Sequence, residues 1–304
     1  MEKKKTTFIF LNQFKDAVML GNGHVPAFLY CSNPPVLFDP GVSAFGPFYL
    51  KKIREHASSP ESLIIALTHS HFDHCGAAPY LLRKIPGIRV AASTRAADVL
   101  QRPNAIEMIR RLNAEYEKEM EEELEKEDVY FEAINVCLKL KNGDRLEVSG
   151  KDHCEILETP GHTRDCLSYF FPNSEVLLAG EAAGVFEGGF IHSPFLSSFE
   201  NYISSIEKLR ALNPEALCIA HNGILTGRDV SRFFSESLTA AKAYKDMIEK
   251  YLNAYNGEKE RVVKRITAEE YDSQPDHIQN RTPFILNLEA KVNAVAQLEE
   301  NADN

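Results

Sequence analysis

Three histidines and an aspartate fall within six residues of one another in the stretch Thr68-His69-Ser70-His71-Phe72-Asp73-His74. Imidazole nitrogens suit zinc, iron and manganese, and the carboxylate adds a harder oxygen donor. In extended chain the side chains at i and i+2 point the same way, so His69 and His71 can share one ion. A turn can then send Asp73 and His74 toward a second position. Three further candidates each stand where a predicted strand runs into a short loop. They are His162 in Thr159-Pro160-Gly161-His162-Thr163, Glu181 in Ala179-Gly180-Glu181, and His221 in Ala220-His221-Asn222-Gly223. Ligands held at strand ends by short loops are what a rigid metal site on a sheet edge requires.

The elements that must present these groups are legible as periodic runs. β-type runs at 7–11, 25–31, 36–38 and 63–67 fill the first part, with turns at Gly21-Asn22-Gly23 and Pro34-Pro35. The run at 7–11 is expected to be an edge strand. Helices are expected over 47–57 and 77–84, and a strand over 88–91. Ile109, Leu112, Tyr116, Met120 and Leu124 recur every three or four residues, which predicts a long helix over 104–127 inside a helical insertion, 101–135. A second β-rich half follows at 136–140, 145–148, 155–158, 167–171, 176–178 and 216–219, with a helix at 200–212. After Gly227 the periodicity is helical only, through Phe233, Leu238, Ala241, Tyr244 and Ile248, and again through Leu288, Val292, Val295 and Leu298. The expected organisation is an α/β catalytic domain over 1–227 and a helical extension over 228–304.

With HxHxDH at 69–74, Gly-His at 161–162, Gly-acid at 180–181 and a last histidine at 221, the chain resembles the metallo-β-lactamase superfamily over roughly residues 6–227. The resemblance implies a four-layer αββα sandwich with a binuclear metal site between two sheet edges. It assigns His69, His71 and His162 to a first metal, and Asp73, His74 and His221 to a second. Asp39-Pro40-Gly41 is similar to the family's early Asp-x-Gly turn, a support and not a ligand. Glu181 stands where most members carry a bridging aspartate. Its extra methylene moves the carboxylate by about one C–C bond, large against the ~0.5 Å tolerance of a catalytic constellation. Three outcomes stay open: Glu181 bridges from a shifted backbone, binds one ion, or alters metal choice. The implied cofactors are two divalent ions, zinc by default, with iron or manganese as alternatives. They would share a hydroxide that attacks a small acyl substrate, with Asp73 as the catalytic group that orients it and accepts its proton. The stretch from Thr68 to Leu81 is similar to that of quinolone-signal-response thioesterases, and the C-terminal helices to those of glyoxalase II-like hydrolases. A thioester or ester is therefore the expected substrate. The rival readings are a metal-binding regulatory protein with little turnover, and a phosphodiesterase.

Composition narrows the partners. The 304 residues carry 34 lysines and arginines against 44 aspartates and glutamates, a formal −10. That balance disfavours nucleic acid and an anionic membrane surface, leaving a small molecule as the expected partner. Residues 115–128 alone supply −7 of it, so the deficit is mostly one helix face and not the catalytic surface. No run approaches the ~18 apolar residues of a membrane span. The N-terminal apolar run is only Phe8 to Leu11, and the six cysteines form no CxxC pair, so a cytoplasmic protein with reduced thiols is expected. Arg164 and Asp165 are candidates to support His162, and His192 is a loop histidine within possible reach of the site. His24 is expected at the rim and Cys75 as a buried thiol. His56, His153 and His277 are expected to be surface or structural. The insertion and the C-terminal helices are expected to form a lid or a homodimer interface.

Overall fold

The computed structural model describes residues 6–119, 127–148, 152–273 and 281–302. Two sheets lie face to face. The first runs β1 (Gln13–Phe14), β2 (Ala17–Leu20), β3 (Ala27–Tyr30), β4 (Val36–Phe38), β5 (Ile64–Ala66), β6 (Arg89–Ser93) and β7 (Leu138–Leu140), in that spatial order. Its strands are antiparallel as far as β4 and parallel from β4 to β7. The second is built from β8 (Arg145–Val148), β9 (Asp152–Glu158), β10 (Leu167–Phe171), β11 (Val176–Gly180), β14 (Ala216–Ile219) and β15 (Ile224–Thr226), ordered β15-β14-β11-β10-β9-β8. Between β11 and β14 lies a separate hairpin of β12 (Val185–Glu187) and β13 (Phe190–His192).

Strand residues point alternately to opposite faces, and here both faces are covered, so the central strands are continuous apolar runs. Val36 and Phe38 face the second sheet, while Leu37 between them faces the helices. Val176 and Leu178 likewise meet the first sheet, while Leu177 turns outward. Tyr30 stacks on Phe171 across the inter-sheet core, ring centroids 3.8 Å apart. On the outside of the first sheet lie α1 (Gly46–His56), α3 (Ala78–Lys84), α4 (Thr94–Val99) and α5 (Pro103–Glu119), with the one-turn α2 (Phe72–Cys75) at the sheet edge. Outside the second lie α6 (Phe199–Ala211), α7 (Arg228–Ala254), α8 (Lys259–Glu270) and α9 (Arg281–Ala302). The result is the expected four-layer αββα sandwich.

Two local differences have physical reasons. Residues 7–11 form no strand apart from an isolated bridge between Leu11 and Ile224. Phe8 is instead a wedge, edge-on to Phe186 and Phe233, with Arg232 over its ring. The β12–β13 hairpin turns through Gly188-Gly189, both at positive φ, the conformation a two-residue hairpin turn needs. In the predicted 104–127 helix, Ile109 is buried and Leu112 and Tyr116 are half-buried, whereas Met120 and Leu124 lie outside the described residues, as does His277. Among the described residues, no helix is long and apolar enough to cross a membrane.

Candidate metal centre

All seven candidate ligands stand at one edge of the sandwich. His69 follows β5, His71 caps α2, and Asp73 and His74 lie within it. From the second sheet, His162 follows β9, Glu181 follows β11 and His221 follows β14. Two glycines are required by this geometry. Gly161 has φ +137°, and a Cβ there would sit 2.3 Å from Tyr202 Cα, so only glycine lets the His162 loop lie on α6. Gly180 has φ +53° and turns the chain from β11 into Glu181, just past a register shift against β14. His221 and Asn222 themselves have positive φ, +57° and +118°, a strain of the kind that collects at functional sites.

Two groups of donor atoms converge. His69, His71 and His162 form one, and Asp73, His74, Glu181 and His221 the other, each with all its donor atoms within 4.8 Å of one another. His162 Nε2 is 3.2 Å from His69 Nε2 and 3.1 Å from His71 Nδ1. Glu181 reaches both groups. Its Oε2 is 3.2 Å from His69 Nε2, 3.4 Å from His162 Nε2 and 3.3 Å from His74 Nε2. Its Oε1 faces His221 Nε2 at 3.5 Å. Asp73 Oδ2 lies 3.7 Å from His221 Nε2 and 3.9 Å from His74 Nε2.

Hydrogen bonds on the far side of the rings set the tautomers. His162 Nδ1 is 2.6 Å from the Pro194 carbonyl, and His221 Nδ1 meets the His24 carbonyl. A carbonyl only accepts, so both Nδ1 atoms carry the proton and both Nε2 atoms turn a lone pair inward. His74 Nδ1 donates to Asp39 Oδ2 over 2.9 Å. The same oxygen accepts the Thr68 hydroxyl at 2.7 Å, which leaves Thr68 Oγ1 as acceptor for His69 Nδ1–H at 3.0 Å. Asp39 Oδ1 accepts the Thr68 backbone N–H at 2.7 Å. One buried carboxylate thus orients two candidate ligands at once, the outer support metal-binding histidines characteristically have.

The donor set fits divalent cations. With Nδ1–H engaged on both rings, the Nε2 lone pairs of His69 and His162 face each other over 3.2 Å with no proton between them, which is repulsive without a cation. His74 Nε2 and Glu181 Oε2 are buried and lack a hydrogen-bond partner, a costly state that a bound ion relieves. Burial, reinforced by the charge of His74, holds the His69 imidazole well below its usual pKa, and burial brings His162 down to about 4, so both keep lone pairs free. For His74 burial opposes the charge, but Glu181, Asp39 and Asp73 outweigh it and raise the pKa well above the usual value. His221 is raised in the same way, its burial outweighed by Glu181 and Asp73. Burial also opposes ionisation of Glu181, and His74, His162 and His69 together hold it well below the usual carboxylate range. A proton on His74 therefore stands where a cation can stand.

The neighbouring candidates separate by role. Asp165 is buried, and its Oδ2 accepts the Ser70 N–H at 2.9 Å, tying the His162 loop to the residue between His69 and His71. Arg164 turns outward into a cleft beside His71 and His162. His24 gives its carbonyl to His221 and not its ring. His192 is exposed on β13, with Nε2 3.3 Å from the Glu187 carbonyl, outside both donor groups. Cys75 is a buried thiol, His153 pairs with Glu155, and His56 ends α1 exposed. The carbonyls of Pro194 and His24 escape a sequence reading, because backbone acceptors have no residue signature. Thr68 carries one signal, its place directly before His69.

Comparisons with known proteins bear on the family and the fold. The protein ST1585 of Sulfurisphaera tokodaii, described as metallo-beta-lactamase fold-containing, is 24% identical over 184 residues, 58% of this chain and 66% of that protein. Its crystal structure superposes with a TM-score of 0.56 at 16% identity, covering 92% of this chain and 98% of that one. The probable metallo-hydrolase YqgX of Bacillus subtilis is 28% identical over 221 residues, 68% of this chain and 90% of its own length. A hydroxyacylglutathione hydrolase of Prochlorococcus marinus is 25% identical over 154 residues, half of this chain and 48% of that enzyme. Residues 20–221 match the family model of the metallo-beta-lactamase superfamily, and with the sandwich and its converging ligands in place, the chain belongs to that superfamily.

Proposed function

We propose that the chain is a binuclear metal-dependent hydrolase of small acyl compounds, with thioesters as the leading class. The observation that carries this reading is Glu181, whose two oxygens face both donor groups and so hold them as one centre. Glu181 would then be the carboxylate shared by the two groups, its oxygens already facing both. When bound, two divalent ions lower the pKa of a shared water toward neutrality and polarise the scissile carbonyl. Asp73 Oδ2 is turned toward His74 and His221, which leaves Oδ1 to orient the attacking water and take its proton. His69, His71 and His162 would hold one of the ions. Similarity to hydroxyacylglutathione hydrolases, which by name cleave an acyl compound of a thiol, supports the thioester class.

The test is a panel of acyl thioesters, aryl esters and bis(p-nitrophenyl) phosphate, run on protein loaded with zinc, manganese or iron. Thioester turnover should be fastest, should vanish on chelation, and should fall by about 10²–10⁴-fold in Asp73→Asn. Preference for the phosphate diester would replace the reading by a phosphodiesterase. No turnover with any metal would favour a metal-binding regulator.

A further inference from the structure

Beside the first histidine group opens a cleft of about 340 Å³. One wall is the loop that carries His162 and Arg164, and the other is α9. Asn293 and Gln297 are four residues apart and therefore share a face of α9, with Ala290 and Ala294 as the small residues that keep the cleft open. The volume is at the low end of the ~300–1,000 Å³ range of ligand sites, enough for a compact acyl group. Arg164 stands two residues from His162, exposed, with no ion-pair partner among the described residues. Its neighbour Asp165 is turned away to Ser70 and does not neutralise it. In a chain of net charge −10, this leaves an uncompensated cation at the mouth of the candidate centre.

We infer that Arg164 is the specificity-determining residue of this cleft, and that the substrate carries a carboxylate or phosphate which docks on it. The flat guanidinium fork matches such an oxyanion through two parallel hydrogen bonds, which an ammonium does not reproduce. Asn293 and Gln297 supply amide donors from the opposite wall. The substrate class is then an acyl compound with an anionic terminus a few bonds from its scissile carbonyl. The inference deepens the hydrolase reading and rests on it for the identity of the bond cleaved.

Binding of amides, which the centre is not expected to cleave, tests it apart from turnover. The zinc-loaded full chain is titrated calorimetrically with N-propyl succinamate, with its phosphonate counterpart, and with the neutral isostere N-propyl-4-oxopentanamide. The protein should bind an anionic amide about tenfold or more tightly than the neutral one, the size of a lost charge-assisted hydrogen bond. In Arg164→Gln that preference should collapse to within about threefold, and Arg164→Lys should keep part of it. The tighter of the two anionic amides names the oxyanion. Equal binding of anionic and neutral amides, or a preference that survives Arg164→Gln because the metals alone hold the anion, overturns the inference. Failure of turnover on every thioester and ester of the panel would sink the acyl-hydrolase reading and leave this comparison intact.

Discussion

Glu181 is where a single methylene decides the geometry. Its oxygens lie 3.2–3.5 Å from nitrogens of His69, His74, His162 and His221, and its backbone stands just past the register shift between β11 and β14. Glu181→Asp, although it restores the residue type the family pattern favours, should draw the carboxylate back by about one C–C bond from these nitrogens. The expected result is about tenfold or greater loss of metal affinity, with fewer ions retained after dialysis, as outer-support defects of comparable size produce. Elemental analysis beside a chelator competition reads it out. Unchanged stoichiometry and affinity would mean that the backbone follows the shorter side chain, and that the length of Glu181 does not set the site.

At the scale of elements, α5 braces the loop behind the metal ligands. Asn113 is buried on its inner face, accepting the Ser43 N–H through Oδ1 at 2.7 Å and donating to the Ile109 carbonyl. Ser43 Oγ donates to Glu117 Oε1 at 2.6 Å, and Tyr116 packs on Phe72 of α2. Ser43 lies four residues after Asp39, so the helix steadies the carboxylate that orients His69 and His74. Asn113→Leu keeps the bulk and strands a buried N–H, which costs about 1–3 kcal/mol and should lower Tm by several degrees in a thermal melt. An unchanged Tm would show that this contact is not what holds α5 down. The helix was legible in the sequence because its apolar residues repeat every three or four positions; the brace was not, since a polar residue on the buried face breaks the stripe. The same contrast runs through the site. Side-chain ligands concentrate recognisable chemistry, whereas the support from the Pro194 and His24 carbonyls depends on tertiary approach alone. Residues 7–11 show the opposite error: an apolar run that suits a strand also suits a wedge, and local pattern does not separate ladder from packing.

Over the whole molecule, the centre joins the two sheets. His69, His71, Asp73 and His74 come from the first, and His162, Glu181 and His221 from the second, so cations bound there would staple the sandwich along one edge. Without cations, protons do part of that work. His74 and His221 have raised pKa values in the fold, so their contribution is fully present below the ordinary imidazole value and is lost as pH rises through the raised values. Glu181 is depressed, so its contribution is present above the ordinary carboxylate range and fades only as pH falls through its lowered value. His162, near 4, is already neutral in the fold from pH 6 upward, so metal binding displaces no proton from it there. As pH rises, the metal-free protein therefore loses the imidazolium charges that offset Glu181, Asp73 and Asp39, while the loaded protein keeps its divalent charges. Metal binding must then displace fewer protons, and the stabilisation it gives must grow. The difference in Tm between zinc-loaded and chelator-stripped protein should accordingly widen from about pH 6 to about pH 9. A difference that stays level or narrows would mean that His74 and His221 do not exchange protons for metal, and would remove the second donor group from the centre.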